Sequence, residues 1–207
     1  MAAEGGPYDD PLREVIEAGP EFVPALANVL THLARVAERP TLRVTSFHSV
    51  RAPPLSIHEY LVRIARYFQC SNECFVLCLV YIDRIVKLHP EFTICSLNIH
   101  RLLVTSAILA AKFFDDIYYS NAYYARVGGV RTREVNALEA QFLKLIDWRL
   151  HVTPNEYEQY RNHVYGAAQG QAMPGAALMA PPVEEAAEAR EAPAGQEDRG
   201  ALMNVDA

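Results

Sequence analysis

Leu109-Ala110-Ala111-Lys112-Phe113-Phe114-Asp115-Asp116 is the stretch that decides the fold. It closes a run that begins near Asn98 and includes Leu102, Leu103, Val104, Ala107 and Ile108, so apolar residues fall on every side of a helix over 98–115. A helix with no polar face has none to give to water and belongs at the centre of a bundle. Ala107, Ala110 and Ala111 let neighbouring helices come close. Lys112 is the awkward charge near its end.

On both sides of this run the periodicity is helical. Phe22, Leu26, Val29, Leu30, Leu33 and Val36 recur at three- and four-residue intervals, which predicts an amphipathic N-terminal helix. Ser56-Ile57-His58-Glu59, after Pro53-Pro54, is a capping box that opens a second helix running through Leu61, Ile64, Ala65 and Phe68 to about Cys70. A third follows Ser71-Asn72, apolar on all sides from Cys74 to Val80, and stops before Pro90. Beyond the central run, a short helix over about 121–127 ends at Gly128-Gly129, where glycine can take the left-handed cap. Thr132 begins an amphipathic helix with Val135, Leu138, Phe142, Leu145 and Ile146 on one face. Thr153-Pro154-Asn155-Glu156 reads as a capping box with proline in the first turn, starting one more helix. No segment alternates as a strand, so the expected fold class is all-α.

The 207 residues carry a formal charge of -6, unevenly placed. Residues 1–46 hold 4 Lys/Arg against 7 Asp/Glu, residues 47–165 hold 13 against 11, and residues 166–207 hold 2 against 7. The acidity belongs to the ends, and there is no dense basic stripe, which speaks against nucleic acid as the main partner. Residues 1–20 read as a flexible N-terminus, 21–43 as the N-terminal helix and a linker, 44–165 as the helical domain with one following helix, and 166–207 as a disordered acidic Ala/Pro-rich tail. No run is apolar enough to span a bilayer, and the first residues do not read as a signal peptide, so no membrane partner is expected and the cytoplasm or nucleus is the expected compartment.

Residue by residue, chemistry is hard to place. There is no phosphate loop, no nucleophile elbow and no zinc-binding His-Glu helix, so no catalytic residue is assigned. His58 and His100 lie in helices without carboxylates or further histidines at matching intervals. Cys70, Cys74 and Cys78 recur every four residues, but Ser71-Asn72 breaks the helix between the first two, so they need not share a face and read as buried reduced thiols. Asp115-Asp116 reads as a pair of helix-closing carboxylates bonded to local backbone or tyrosine hydroxyls, not as a metal site. No metal and no cofactor are expected.

The run from Ala110 through Asp116-Ile117-Tyr118-Tyr119-Ser120-Asn121 to Gly128-Gly129-Val130 resembles the signature of P-type cyclins, also called U-type or phosphate-signalling-like. Tyr81-Ile82-Asp83-Arg84 is similar to the second box helix of cyclins in general. Ala137-Leu138-Glu139-Ala140-Gln141-Phe142-Leu143 with Asp147-Trp148-Arg149-Leu150 is similar to the last one, and Ser46-Phe47-His48-Ser49-Val50-Arg51-Ala52-Pro53 resembles the lead into the box. The resemblance covers about residues 44–162. It implies five box helices around a buried third.

It also implies a regulatory chain that binds and activates a cyclin-dependent protein kinase as a heterodimer, in cell-cycle or nutrient control, and that is not itself an enzyme. The alternative is a cyclin-fold adaptor in transcription that activates no kinase. Read from the residues alone, Lys112 snorkels out of a buried helix and Glu139 is solvated. The resemblance implies instead that Lys112 and Glu139 lie side by side at the kinase interface, with Phe113 and Asp116 beside them. Asp83 and Arg84 are implied to be structural, with Asp83 holding the first two box helices together and Arg63 or Arg66 as its partner. The Met-Arg-Ala-Ile-Leu docking patch of many cell-cycle cyclins is replaced by Ile57-His58-Glu59-Tyr60-Leu61, and, with only one helix start after Leu150, no second cyclin fold is expected.

Overall fold

In the computed structural model, residues 22–36 and 44–169 are described. They form α1 (Phe22–Val36), α2 (Ile57–Phe68), α3 (Glu73–Leu88), α4 (Ile99–Phe114), α5 (Asn121–Gly128), α6 (Thr132–Leu145) and α7 (Pro154–Ala168), with no strand among the described residues. The flexible N-terminus and most of the acidic tail lie outside the described residues. α7 runs to Ala168, a little past the expected start of the tail at 166.

α4 is the central post. It packs against α2, α3, α5 and α6, and all but Arg101 of the residues from Ile99 to Ala111 are buried. Its polar residues in that span find partners on or near the helix: Thr105 donates to the Arg101 carbonyl and Ser106 to the Leu103 carbonyl. α3 is nearly as enclosed, between α4 and α7, and α1 closes the bundle by packing on α2 and α7. The edge of Phe22 meets Tyr165 at 5.6 Å between ring centres.

Helix starts follow local chemistry. Ser56 and Glu59 form the full capping box, and Ser120 caps α5. At α7 only half of the expected box exists. Thr153 accepts from the Glu156 amide and Pro154 occupies the first turn, but the Glu156 carboxylate turns away to Arg84 at 2.8 Å. α2 stops at Phe68 because Gln69 turns left-handed, at φ 51°. Gly129 ends α5 in the same way, at φ 69°.

α6 departs from the expectation at its end. Asp147-Trp148, read as part of the last box helix, lie beyond it in a left-handed turn, at φ 51° and 59°. The Trp148 amide donates back to the Leu143 carbonyl at 2.9 Å, and the indole is left 66% exposed.

Candidate functional site

Where α4 leaves the core, its side chains change character. Ala111 is buried, Lys112 is half-buried, and Phe113 and Phe114 are 50% and 48% exposed. Ile117 and Tyr118 continue this rim, also exposed. Such a group of large apolar side chains in water is a surface that gains from being covered.

α6 lies along α4 and brings Glu139 to the same corner. Lys112 Nζ and Glu139 Oε1 are 2.7 Å apart, and the pair is mostly sheltered. Glu139 Oε2 accepts from Asn121 Nδ2 at 2.8 Å, and that amide also donates to Asn136 Oδ1 at 2.8 Å. Asn121, in the first turn of α5, thereby fixes the carboxylate from a third helix. A clamped ion pair of this kind keeps donors and acceptors in place before any partner arrives, which lowers the ordering entropy that binding must offset. Two of the three Lys112 ammonium protons and further carboxylate lone pairs remain for an incoming backbone.

Asp116 stands exposed beside the corner, whereas Asp115 is tied down. The Asp115 carboxylate accepts from the Ser71 amide at 3.0 Å, from the Ser71 hydroxyl and from the Cys74 thiol at 3.4 Å. The expectation of local backbone or tyrosine partners is corrected: this carboxylate fastens the end of α4 to the α2–α3 junction. The tyrosines behind it form their own network. The Tyr124 hydroxyl accepts from the Tyr119 amide, and the Tyr123 hydroxyl donates to the Tyr67 carbonyl.

The α2–α3 break at Ser71-Asn72 does not keep Cys70 from influencing Cys74. The neighbouring Cys70 and burial hold Cys74 far above the usual thiol range, and burial raises Cys78 as well, so both stay protonated rather than thiolate. Among the described residues no group of three His, Cys, Asp or Glu stands where it could hold a metal ion.

Asp83 and Arg84 sit elsewhere, at the joint between α3 and α7. Asp83 pairs with Lys87 at 2.8 Å and accepts from the Tyr160 hydroxyl. Burial raises its pKa, and these two partners pull it back. The expected arginine partner is corrected: neither Arg63 nor Arg66 bonds Asp83. Lys87, one turn along the same helix, supplies the charge, so Asp83 joins α3 to α7 instead of to α2. Arg84 bonds Glu156 and the Arg149 and His151 carbonyls, which secures the α6–α7 connection.

The corner therefore unites Lys112, Glu139 and Phe113, with Asp116 beside them. Asn121, Asp115, Ile117 and Tyr118 complete it without having been singled out as site residues. Asn121 is 18 residues from Glu139, so no helical period connects them, and only the folded α5–α6 packing does.

Among the described residues, five helices, α2 to α6, gather around the buried α4, with α1 and α7 packed beside them, which is the arrangement expected of a cyclin box. The cyclin family model matches residues 22–150, and the chain belongs to the cyclin family. The resemblance to U-type and P-type members holds. Cyclin-U4-1 of Arabidopsis thaliana is 47% identical over 140 residues, covering 68% of each chain. Cyclin-U1-1 of Arabidopsis thaliana is 42% identical over 172 residues, covering 75% of this chain and 81% of its own. Cyclin-P4-1 of Oryza sativa subsp. japonica is 42% identical over 159 residues, covering 71% of this chain and 74% of its own. The family match begins at Phe22, so it takes in α1. Cyclins are regulatory proteins, not catalysts.

Proposed function

We propose that this cyclin binds a cyclin-dependent protein kinase as a heterodimer and activates it through the corner formed by Lys112, Glu139, Phe113 and Asp116. The observation that carries the reading is the clamped Lys112–Glu139 pair, followed directly along the chain by exposed Phe113, Phe114, Ile117 and Tyr118. A kinase is active when its catalytic lysine pairs with a glutamate on a mobile helix. A rigid surface that packs on that helix only in its active position shifts the equilibrium by its differential affinity. The buried post α4 supplies the rigidity, the aromatic rim supplies the area, and the ion pair supplies polar groups for backbone beside the mobile helix. Such a complex works in the cytoplasm or nucleus, and a fluorescent fusion confined to another compartment would speak against it.

A binding assay with purified cyclin-dependent kinases tests the site. Lys112→Glu places two carboxylates together and is expected to weaken binding by about tenfold or more, as truncating a central interface group does. Glu139→Ala is expected to act in the same direction. Equal binding by folded wild type, Lys112→Glu and Glu139→Ala chains would show that the corner is not the contact.

A further inference from the structure

A second face of the molecule segregates charge. From Tyr60 onward α2 reads Tyr60-Leu61-Val62-Arg63-Ile64-Ala65-Arg66-Tyr67-Phe68, and α5 reads Asn121-Ala122-Tyr123-Tyr124-Ala125-Arg126-Val127-Gly128. These two stretches hold Arg63, Arg66 and Arg126 and no carboxylate, and the helices pack side by side. The contacts make one continuous ledge. Arg63 Nη2 reaches the Arg126 carbonyl at 3.5 Å, and the Tyr123 hydroxyl donates to the Tyr67 carbonyl at 2.7 Å. The Arg66 guanidinium lies over the Tyr67 ring at 5.4 Å, and that of Arg126 over the Tyr123 ring at 5.7 Å. Tyr119 stacks on Tyr123 at 4.5 Å.

Among the described residues, none of these three arginines enters an ion pair, while Arg84, Lys87, Arg101 and Lys112 all do. The carboxylate nearest Arg63 in sequence, Glu59, is held by the Ser56 amide and hydroxyl in the capping box, and the one nearest Arg126, Glu134, pairs with Arg101. Arg66, Tyr67 and Arg126 are exposed. A guanidinium held over a tyrosine ring, as in Arg66 and Arg126, loses part of its rotamer freedom in advance, and the N–H fork of an arginine matches a carboxylate's two oxygens.

We propose that the α2–α5 ledge docks an acidic peptide segment of a protein partner. Its glutamate or aspartate side chains meet Arg63, Arg66 and Arg126, and an apolar side chain between them lies on Tyr67 and Tyr123. The ledge is on the α2 side of α5, whereas Glu139 is on the α6 side. Acidic-peptide docking is therefore separable from the Lys112–Glu139 corner and does not depend on the kinase reading.

The test is fluorescence anisotropy of the full chain with a fluorescein-labelled peptide repeating Glu-Glu-Leu. Its comparison probes are the same peptide with glutamine for glutamate, a phosphoserine peptide, a single-stranded oligothymidine and phosphatidylserine vesicles. The glutamate peptide is expected to bind with an affinity that falls as salt rises. The triple variant Arg63→Gln, Arg66→Gln, Arg126→Gln is expected to lose about tenfold or more of that affinity while keeping wild-type helicity and melting temperature. The glutamine peptide is expected not to bind. If the triple variant fails to fold, the exposed single substitution Arg66→Glu gives the same reading. Undiminished binding by the folded variant, equal binding of the glutamine peptide, or binding only of the phosphopeptide, oligonucleotide or vesicles overturns the proposal.

Discussion

At the residue scale, what separates structural from interface roles is where each charge finds its partner. Asp83 is buried, and its partners Lys87 and Tyr160 belong to its own chain on both sides, so it has nothing left to offer outside. Lys112 and Glu139 are sheltered but reachable, at a rim of exposed aromatics. His100 gives a titration to test. Its Nε2 donates to the Leu55 carbonyl at 2.8 Å, its Nδ1 is buried without a partner, and burial holds its pKa below the ordinary range. A histidine with a depressed folded pKa binds its proton later than in the unfolded chain. Its contribution is therefore complete above the unfolded value of about 6.5 and is lost as pH falls through the folded one. Urea unfolding at pH 7.5 and 5.5 should show the wild type losing more stability on acidification than His100→Gln. Equal losses would show that His100 does not set the slope. Sequence made only part of this scale legible. Lys87 lies one turn from Asp83 and could be read locally, whereas Tyr160 and Asn121 join their partners across 77 and 18 residues. For the same reason the Lys112–Glu139 pairing was available only through a family likeness.

At the element scale, the starts of α2 and α7 were legible because caps are local: Ser56 and Thr153 each accept from the backbone amide three residues on, as Ser120, not read as a cap, does for α5. Ends were harder to read, since a left-handed residue such as Gln69 or Trp148 carries no strong compositional mark. Gly128 shows where an element depends on one hydrogen atom. A Cβ there would lie 2.6 Å from Val104 Cγ2 on α4 and 3.3 Å from the Tyr60 hydroxyl, which donates to the Gly128 carbonyl at 2.9 Å. Gly128→Ala should therefore cost about 1–3 kcal/mol through overpacking. Val104→Ala removes the clashing methyls, so the double variant should be more stable than the sum of the two single losses. Denaturant melts of the four proteins measure this coupling. Strict additivity would mean that α5 and α4 do not press on each other at Gly128.

At the scale of the whole molecule, the bundle works as a frame. α1 ties α2 to α7, the Asp83–Lys87–Tyr160 and Arg84–Glu156 contacts tie α3 to α7, and Asp115 ties α4 to the α2–α3 junction. These fastenings leave the corner at the end of α4 no slack, which a surface meant to hold a partner's mobile helix needs. The all-α class and the central place of α4 were readable because apolarity on every side of one helix has a single packing solution. The position of the corner was not, because it depends on where α4 outruns its neighbours. The most direct measurement is the activity of a purified cyclin-dependent kinase titrated with this chain, wild type against the charge swap Lys112→Glu with Glu139→Lys. The swap keeps an internal ion pair, and so the fold, but presents inverted charges to the kinase. Wild type is expected to raise the kinase's activity and the folded swap to fail. Activation by the swap equal to that by wild type, or no activation of any such kinase by wild type, would contradict the kinase-facing role of the corner.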